Sequence, residues 1–324
     1  MTDGLRWQEV FTGAEENLMN KKNGKVTDVA ALKKSYWRAT PEERRLTLMP
    51  FLWSVIAKEG QIFGNRQLGS DAYVTNGFFF SYPGYSEALC GFTDSRINSN
   101  NKVPNPNVSF QGDIAAFGAW DVIASVFNPD RSGFVVNAGW DPFTAIAATP
   151  QLELLNRLKS ETPRVWDDEP FDALAFYTAV EYLKAHKPRV LYLSLGETDD
   201  WAHERRYARY LEAAHRVDDY LRILWETVQF MPEYHGSTTL IFSTDHGRGS
   251  GRKRWTSHGQ KLTESKYIWM AFLGPDTPPL GERSHAPAVT QNQIAATLAA
   301  LLGYDYNAAV PRSGKPISAV LPQP

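Results

Sequence analysis

Aspartate and histidine side chains cluster at three places along the chain, and together they have the chemistry of a metal site. Asp199 and His203 lie four residues apart in GETDDWAHE, directly after the apolar segment RVLYLSL. On a helix this spacing places a carboxylate and an imidazole on one face, where both can bind one cation. Asp245 and His246 are adjacent in TDHGRG, directly after the apolar segment TTLIFS, and His258 follows in WTSHGQ.

Each of these motifs has a simpler interpretation when it stands alone. An Asp-x-x-x-His pair on an exposed helix is more often a surface salt bridge. Asp-His-Gly after a strand is often turn chemistry, because Asp and Gly suit turn backbones. A single histidine in a loop indicates little. Three histidines and two aspartates near the ends of predicted strands nevertheless favour metal binding.

Short apolar runs alternate with segments of helical periodicity. The runs predict strands at 113–117, 133–136, 189–195, 238–243 and 267–273. Helical spacing predicts helices over 171–186, 205–230 and 291–302. Continuous apolar runs indicate strands buried on both faces. We therefore expect the α/β class, with a mostly parallel sheet flanked by helices on both faces, and a single domain over residues 1–324. Ligands of such sheets bind beyond the carboxyl ends of the strands, where both Asp/His motifs fall.

Composition excludes several classes of function. The chain has 324 residues, with 34 Lys and Arg against 36 Asp and Glu, a formal net charge of -2. This balance argues against a dedicated nucleic-acid surface. The single cysteine, Cys90, excludes a disulfide framework.

No apolar run approaches the roughly 20 residues of a membrane span. MTDGLRWQEV lacks the pattern of a signal peptide, so localisation stays open between a soluble protein and an exported one already processed. The oligomeric state is likewise undetermined.

The order and spacing of these motifs resemble the alkaline phosphatase superfamily of two-metal phospho- and sulfo-hydrolases and mutases. The most similar branches are the nucleotide pyrophosphatase/phosphodiesterase-like and phosphoglycerate-mutase-like metalloenzymes. The resemblance covers residues 3–306, and it implies two ligand sets. The first set comprises Asp199, His203 and His258. The second comprises Asp3 in TDGLRW, Asp245, His246 and the oxygen of the nucleophile.

The segment FSYPGYSEALCGF resembles the superfamily's nucleophile motif, which lies at a helix N-terminus. The match implies that Ser81 is the nucleophile and that Gly91 is the trailing glycine of the motif. Pro83 suits a first helical turn, and a helix N-terminus favours a bound phosphate. An ordinary N-cap serine is the alternative role for Ser81. Thr75 and Thr12 are the competing hydroxyl groups.

Substrate-binding residues are less clearly indicated. Arg248 and Arg252, with two further basic residues, lie between the Asp-His pair and His258, where a second anionic group of the substrate has a place to bind. The alternative is a solvated basic loop. Asn76 is a candidate donor to a non-bridging oxygen.

The chain departs from the superfamily's pattern at several positions. It begins almost at Asp3 without the apolar strand that leads into that residue, so we expect a loose terminus and a weakened second site. Gly84 replaces the diesterase-like Asn three residues after the nucleophile. The segment 100–112 lacks the pattern of a crossover helix. Cys90 is outside the C-x-P-x-R context of sulfatases, and 324 residues leave no room for the inserted domain of the mutases.

These observations predict a two-metal phosphoric ester hydrolase that acts on a small-molecule phosphoester through a serine phospho-enzyme. Mixed Asp/His ligation without cysteine favours zinc, and manganese also suits it. Two alternatives stay open. One is a non-catalytic relative that binds metal, and the other is a phosphotransferase or mutase that uses the same site.

Overall fold

The computed structural model describes residues 1–108 and 112–322, which form two compact units. The smaller unit contains Met1–Asp3 and Ser99–Glu197, and the larger contains Gly4–Asn98 and Thr198–Pro324. Both units combine helices with sheets that contain parallel strands, so the predicted α/β class is confirmed. The single domain expected over residues 1–324 stays a prediction. Within the described ranges, no helix is long and apolar enough to cross a lipid bilayer.

The first 98 residues supply mostly helices to the larger unit. The α-helices are α1 (Trp7–Thr12), α2 (Lys21–Gly24), α3 (Val29–Tyr36), α4 (Pro41–Leu48), α5 (Ala57–Glu59) and α6 (Ser81–Cys90). A π-helix over Leu52–Ile56 precedes α5, and short 3-10 helices span Glu16–Leu18 and Arg66–Leu68. The strands are β1 (Gln61–Phe63) and β2 (Ala72–Tyr73).

The smaller unit is a parallel sheet with helices on both faces. Its elements are β3 (Ile114–Gly118), α7 (Val122–Phe127), α8 (Pro129–Ser132), β4 (Val135–Ala138), α9 (Pro150–Glu161), α10 (Asp172–His186) and β5 (Val190–Ser194). The strand order is β4-β3-β5, with all pairs parallel. Phe117 packs against Leu152 of α9 and Tyr182 of α10, whereas Gly118 faces Ile123 of α7. The predicted strands and the helix of this region are confirmed.

Residues 1–3 pair with the chain that follows β5. Thr2 forms a parallel bridge with Leu195, and the Asp3 N–H donates to the Leu195 carbonyl at 2.9 Å. Asp3 is buried. The expected loose terminus is therefore wrong, because backbone hydrogen bonds to Leu195 tie these residues to the smaller unit without a long preceding strand. In the described part of segment 100–112 no helix forms, and residues 109–111 lie outside the described ranges.

The second half of the chain completes the larger unit. Glu197, the first residue of its first helix, belongs to the smaller unit. Its helices are α11 (Glu197–His203), α12 (Tyr207–Phe230), α13 (Gly251–Arg254), α14 (Ile294–Leu301) and α15 (Tyr306–Ala309), with 3-10 helices over Thr263–Lys266, Gln291–Gln293 and Ser318–Val320. Its strands are β6 (Leu240–Ser243), β7 (Met270–Leu273), β8 (Gly281–Glu282) and β9 (Val289–Thr290). The predicted helices over 205–230 and 291–302 are confirmed, although the latter begins as a 3-10 turn.

The strands do not form the one sheet that their apolar runs suggested. The larger unit has a sheet of order β6-β7-β1-β8 and a separate parallel pair of β2 and β9. Strand β7 is antiparallel to both β6 and β1. Parallel ladders nevertheless predominate among the described strands, as expected. An apolar run reports burial on both faces, but it carries no information about which strand lies alongside.

Candidate metal and nucleophile site

Helix α11 presents Asp199 and His203 on one face. Asp199 Oδ2 lies 3.0 Å from His203 Nε2, as the four-residue spacing predicts. The carboxylate is largely covered, whereas the imidazole is about half exposed. The pair thus opens towards solvent on its histidine side, where a ligand has access.

His258 joins this pair from the loop before β7. Its Nε2 lies 2.9 Å from His203 Nε2 and 3.6 Å from Asp199 Oδ1. Its Nδ1 faces the Phe79 carbonyl at 3.3 Å. A carbonyl oxygen only accepts hydrogen bonds, so Nδ1 carries the hydrogen and Nε2 presents its lone pair to the cluster. The three predicted ligands of the first set therefore converge.

Asp245 and His246 follow β6 in a tightly held turn. Asp245 Oδ1 accepts hydrogen bonds from the N–H groups of Gly4 (3.0 Å) and His246 (2.8 Å). The buried Gln291 amide donates to the Asp245 carbonyl at 2.9 Å. His246 Nδ1 faces the Gly247 carbonyl at 2.8 Å, which leaves Nε2 as the acceptor. The His246 ring stacks on His258, with the centroids 3.9 Å apart.

Ser81 is the first residue of α6, and its hydroxyl reaches the cluster. The side chain is buried, and its Oγ lies 3.2 Å from His246 Nε2. Phe80 occupies the N-cap position, so the alternative role of Ser81 as an N-cap residue is wrong. The N-terminal N–H groups of α6 make this position favourable for an anion.

The two competing hydroxyl groups have other partners. Thr75 Oγ1 donates to Glu87 Oε1 at 2.8 Å, and Thr12 Oγ1 donates to the Gln8 carbonyl at 2.8 Å. Within the larger unit, the contact of Ser81 with His246 thus distinguishes it from both threonines.

Arg248 is buried beside Asp199 rather than exposed in a solvated loop. Its guanidinium contacts Asp199 Oδ1 and donates to the carbonyls of Trp255 (2.9 Å) and Thr256 (2.6 Å). Arg252 is exposed and reaches Asn17 at 3.5 Å. Among the three predicted substrate-binding residues, all within the described ranges, Arg248 is the one that contacts a predicted metal ligand.

The Asn76 side chain is engaged within its own loop. Its Nδ2 donates to Glu87 Oε2 at 2.9 Å, and its Oδ1 accepts from the N–H groups of Phe78 (2.9 Å) and Phe79 (3.0 Å). These bonds occupy both ends of the amide. The geometry therefore assigns Asn76 to the conformation of the loop and does not support its predicted contact with substrate.

Two glycines, Gly4 and Gly84, have a steric role in this site that was not predicted from the sequence. Gly4 has φ +57°, and a Cβ there would lie 2.6 Å from both Arg248 Nη1 and Asp199 Oδ1. A Cβ at Gly84 would collide with the Asp245 carbonyl oxygen. The replacement of Asn by glycine at position 84 thus has a steric reason. In the sequence, Gly4 is marked by its place directly after Asp3, and Gly84 is marked by its place in the predicted first helical turn.

The electrostatic environment favours metal-binding protonation states. Burial raises the pKa of the Asp199 carboxyl, but the charge of Arg248 and the interactions with the neighbouring histidines outweigh this effect, and the pKa lies well below its usual range. Burial, together with the neighbouring His246, lowers the pKa of His258 well below its usual range. An ionised carboxylate and a neutral imidazole are the forms that coordinate metal.

The donor atoms fit a divalent cation. Asp199, His246 and His258 each offer one ligand atom, and these atoms lie within 4.8 Å of one another. Carboxylate oxygen with imidazole nitrogen is a donor set of zinc and manganese sites. Asp3 belongs to the smaller unit, and its role as a ligand stays a prediction from the sequence.

Comparison with known proteins gives matches in structure only. No family model and no curated protein matches the sequence. Phosphonate monoester hydrolase from Silicibacter pomeroyi matches 100% of this chain and 76% of its own, with 13% identity and a TM-score of 0.56. Ps i-CgsB in complex with k-i-k-neocarrahexaose matches 97% and 73%, with 16% identity and a TM-score of 0.53. The chain shares its fold with both of these solved structures.

A third solved structure with a similar fold is murine ectonucleotide pyrophosphatase/phosphodiesterase 5 in complex with AMP. It covers 93% of this chain and 93% of its own, with 12% identity and a TM-score of 0.51. At identities this low the similarity shows a shared fold, and the reaction has to be argued from the side chains of the site.

Proposed function

We propose that this protein is a metal-dependent hydrolase of small-molecule phosphate esters and that Ser81 is its nucleophile. The observation that carries the proposal is the position of the Ser81 hydroxyl at the N-terminus of α6, 3.2 Å from His246 Nε2. Phosphoryl transfer requires a positioned nucleophile and compensation of negative charge more than covalent help from other groups. The superfamily fold, shared with a phosphonate monoester hydrolase and a phosphodiesterase, supports the same class of reaction.

The proposed metal ligands are the members of the two predicted sets that lie in the larger unit, and the role of Asp3 stays a prediction from the sequence. Asp199, His203 and His258 would hold one divalent ion. Asp245, His246 and the Ser81 hydroxyl would hold a second. Mixed oxygen and nitrogen donors favour zinc, with manganese as the second choice. Bound divalent ions supply positive charge that lowers the pKa of a hydroxyl group and neutralises phosphoryl oxygens.

The residues of this chain would then carry out two displacements. In the first, the Ser81 hydroxyl releases its proton to solvent water and Oγ forms a bond to phosphorus, while the bond to the leaving oxygen breaks and that oxygen takes a proton from solvent. The N–H groups at the start of α6 face the transferred phosphoryl group. In the second, water attacks phosphorus, the bond to Ser81 Oγ breaks, and Oγ is reprotonated. The products are an alcohol and inorganic phosphate.

The test is Ser81→Ala, with Thr12→Ala as the matched control that removes a hydroxyl from a competing residue. Both variants and the wild type are assayed with zinc or manganese on p-nitrophenyl phosphate, bis-p-nitrophenyl phosphate and p-nitrophenyl phenylphosphonate. We expect metal-saturated Ser81→Ala to lose about 1,000-fold or more in turnover. Thr12→Ala should retain wild-type turnover.

Three results would overturn parts of this proposal. Near-normal turnover by metal-saturated Ser81→Ala would exclude Ser81 as the nucleophile. If the metal-loaded wild type hydrolyses none of these esters, the alternative of a non-catalytic, metal-binding relative is favoured. Phosphate found on an added alcohol instead of in solution would identify a phosphotransferase.

A further inference from the structure

Glu87 is a buried carboxylate on α6 for which the proposed reaction has no use. It lies six residues after Ser81 and is fully buried. Its two oxygens accept hydrogen bonds from the Thr75 N–H (2.9 and 3.1 Å), the Thr75 hydroxyl (2.8 Å), the Asn76 N–H (3.0 Å) and the Asn76 side-chain amide (2.9 Å). One side chain of the nucleophile helix thus binds the start of the loop that leads into that helix.

Asn76 extends this network to the other end of the loop. Its Oδ1 accepts from the N–H groups of Phe78 and Phe79, at 2.9 and 3.0 Å. Phe79 has φ +57°, a left-handed conformation that costs free energy for a bulky residue. Such a conformation persists only where the surrounding hydrogen bonds and packing impose it.

The Phe79 carbonyl is the hydrogen-bond partner of a predicted metal ligand. His258 Nδ1 faces this oxygen at 3.3 Å, which directs His258 Nε2 towards Asp199 and His203. The partner of the second ring nitrogen fixes the tautomer and the orientation of a metal-ligating histidine. Its loss typically costs 10–100-fold in metal affinity.

We propose that Glu87 is a positioning residue that sets the His258 imidazole through Asn76 and the strained Phe79 backbone. The inference deepens the proposed function, because it rests on His258 as a ligand of the metal. The carboxylate is required because the groups of Thr75 and Asn76 that face it donate hydrogen bonds to it. A glutamine side chain would place its NH2 group, which is a donor, opposite backbone N–H groups, which are also donors. Glu87→Gln therefore changes the hydrogen bonding without changing the size of the side chain.

The experiment measures zinc affinity and the His258 tautomer in the full chain. The tautomer is read from nitrogen-15 NMR of the zinc-free protein, so this readout does not depend on metal or activity. The control is Asp218→Asn, since Asp218 is another buried carboxylate of the larger unit. It accepts from the N–H groups of Phe51 (2.7 Å) and Leu52 (2.8 Å).

We expect Glu87→Gln to lose about 10-fold or more in zinc affinity and to lose the single Nδ1–H tautomer of His258. Asp218→Asn should keep both at wild-type values. If Glu87→Gln keeps the wild-type tautomer and zinc affinity, the positioning role is wrong. Equal losses in the two variants would also overturn it, because they would indicate general destabilisation.

A different pattern would separate this inference from the proposed function. If the wild type binds no zinc but Glu87→Gln still changes the His258 tautomer relative to wild type, the positioning role stands and the metal site is wrong. An unchanged tautomer together with no zinc binding by the wild type would overturn both.

Discussion

Backbone carbonyl groups decide the chemical form of two imidazoles in the site. The Gly247 carbonyl faces Nδ1 of His246, and the Phe79 carbonyl faces Nδ1 of His258. Both rings therefore direct Nε2 towards the cluster. The sequence identified the histidines as candidate ligands. It had no means of identifying Phe79, because a carbonyl acts through its position and not through the type of its side chain.

The burial of the Arg248 guanidinium likewise could not be predicted from the sequence. A run of basic residues in a loop is usually solvated, and exposed Arg252 fits that expectation. Arg248 instead contacts Asp199 and helps to hold the pKa of that carboxyl well below its usual range. The two arginines differ in burial and in their partners, and both differences follow from tertiary packing.

The first prediction for a single residue concerns Gly4. Gly4→Ala should lower zinc affinity and turnover by about 10-fold or more, because the added Cβ would displace the Asp199 carboxylate and Arg248. Zinc titration of the purified variant measures the effect. The matched control is Gly251→Ala, since Gly251 also has a positive φ (+73°), but a Cβ added there would meet no described atom within 4 Å beyond its chain neighbours and the backbone of its own helix.

Both glycine variants should lose about 1–2 kcal/mol of unfolding free energy, because both force alanine into the left-handed region. Only Gly4→Ala should lose zinc. Equal zinc affinity in the two variants would show that the space around Gly4 is not needed by the site.

Among the secondary-structure elements, α6 shows how a helix combines chemistry with close packing. Its first residue is Ser81, its buried Glu87 holds the preceding loop, and Gly91 ends it with φ +76°. Gly91 matches the trailing glycine of the nucleophile motif, and its role is that of a left-handed C-cap. The motif in the sequence thus includes the proposed nucleophile and the residue that terminates the helix.

Helix α9 of the smaller unit carries a buried lysine, which gives a prediction about pH. Lys159 Nζ donates to Asn137 Oδ1 (2.8 Å) and to the Asp141 carbonyl (3.0 Å), and burial lowers the pKa of Lys159 to about 8. Below that pH, lysine is charged in both folded and unfolded states, and its burial destabilises the folded state. This cost disappears as the pH rises from about 8 to the unfolded value near 10.5.

We therefore expect wild type to gain up to about 3 kcal/mol of unfolding free energy relative to Lys159→Met between about pH 7.5 and 10.5. Urea unfolding of both proteins across this range measures the difference. Lys184→Met, at an exposed lysine of α10, controls for the removal of a positive charge. A difference between wild type and Lys159→Met that stays constant with pH would exclude the lowered pKa.

For the molecule as a whole, metal binding should contribute to stability. An ion that binds the folded chain alone adds about 3 kcal/mol at about 100 times its dissociation constant. The proposed ligand sets predict about two zinc ions per wild-type chain and about one in Asp199→Ala. Elemental mass spectrometry after desalting gives the numbers, and thermal unfolding with zinc or EDTA gives the stabilisation.

Asp219→Ala is the control for this experiment, because Asp219 is an exposed acidic residue paired with Arg222. Two ions retained by Asp199→Ala would assign Asp199 to a surface role. One ion in the wild type would exclude the second ligand set.

The α/β class, the main strands and helices, and the motifs of the candidate site could all be predicted from the amino-acid sequence. Periodicity records which residues are buried, and the spacing of Asp199 and His203 fixes their shared helical face. These properties are local, so a single sequence contains them.

The pairing of the strands and the contacts of Gly4, Glu87 and Arg248 could not be predicted in this way. Strand pairing depends on neighbours distant in the chain, as the antiparallel β7 between β6 and β1 shows. The roles of Gly4 and Glu87 depend on atoms brought within hydrogen-bonding or van der Waals distance by folding. Hydrophobic patterning specifies burial, whereas close contacts between polar groups arise only when the packed elements meet.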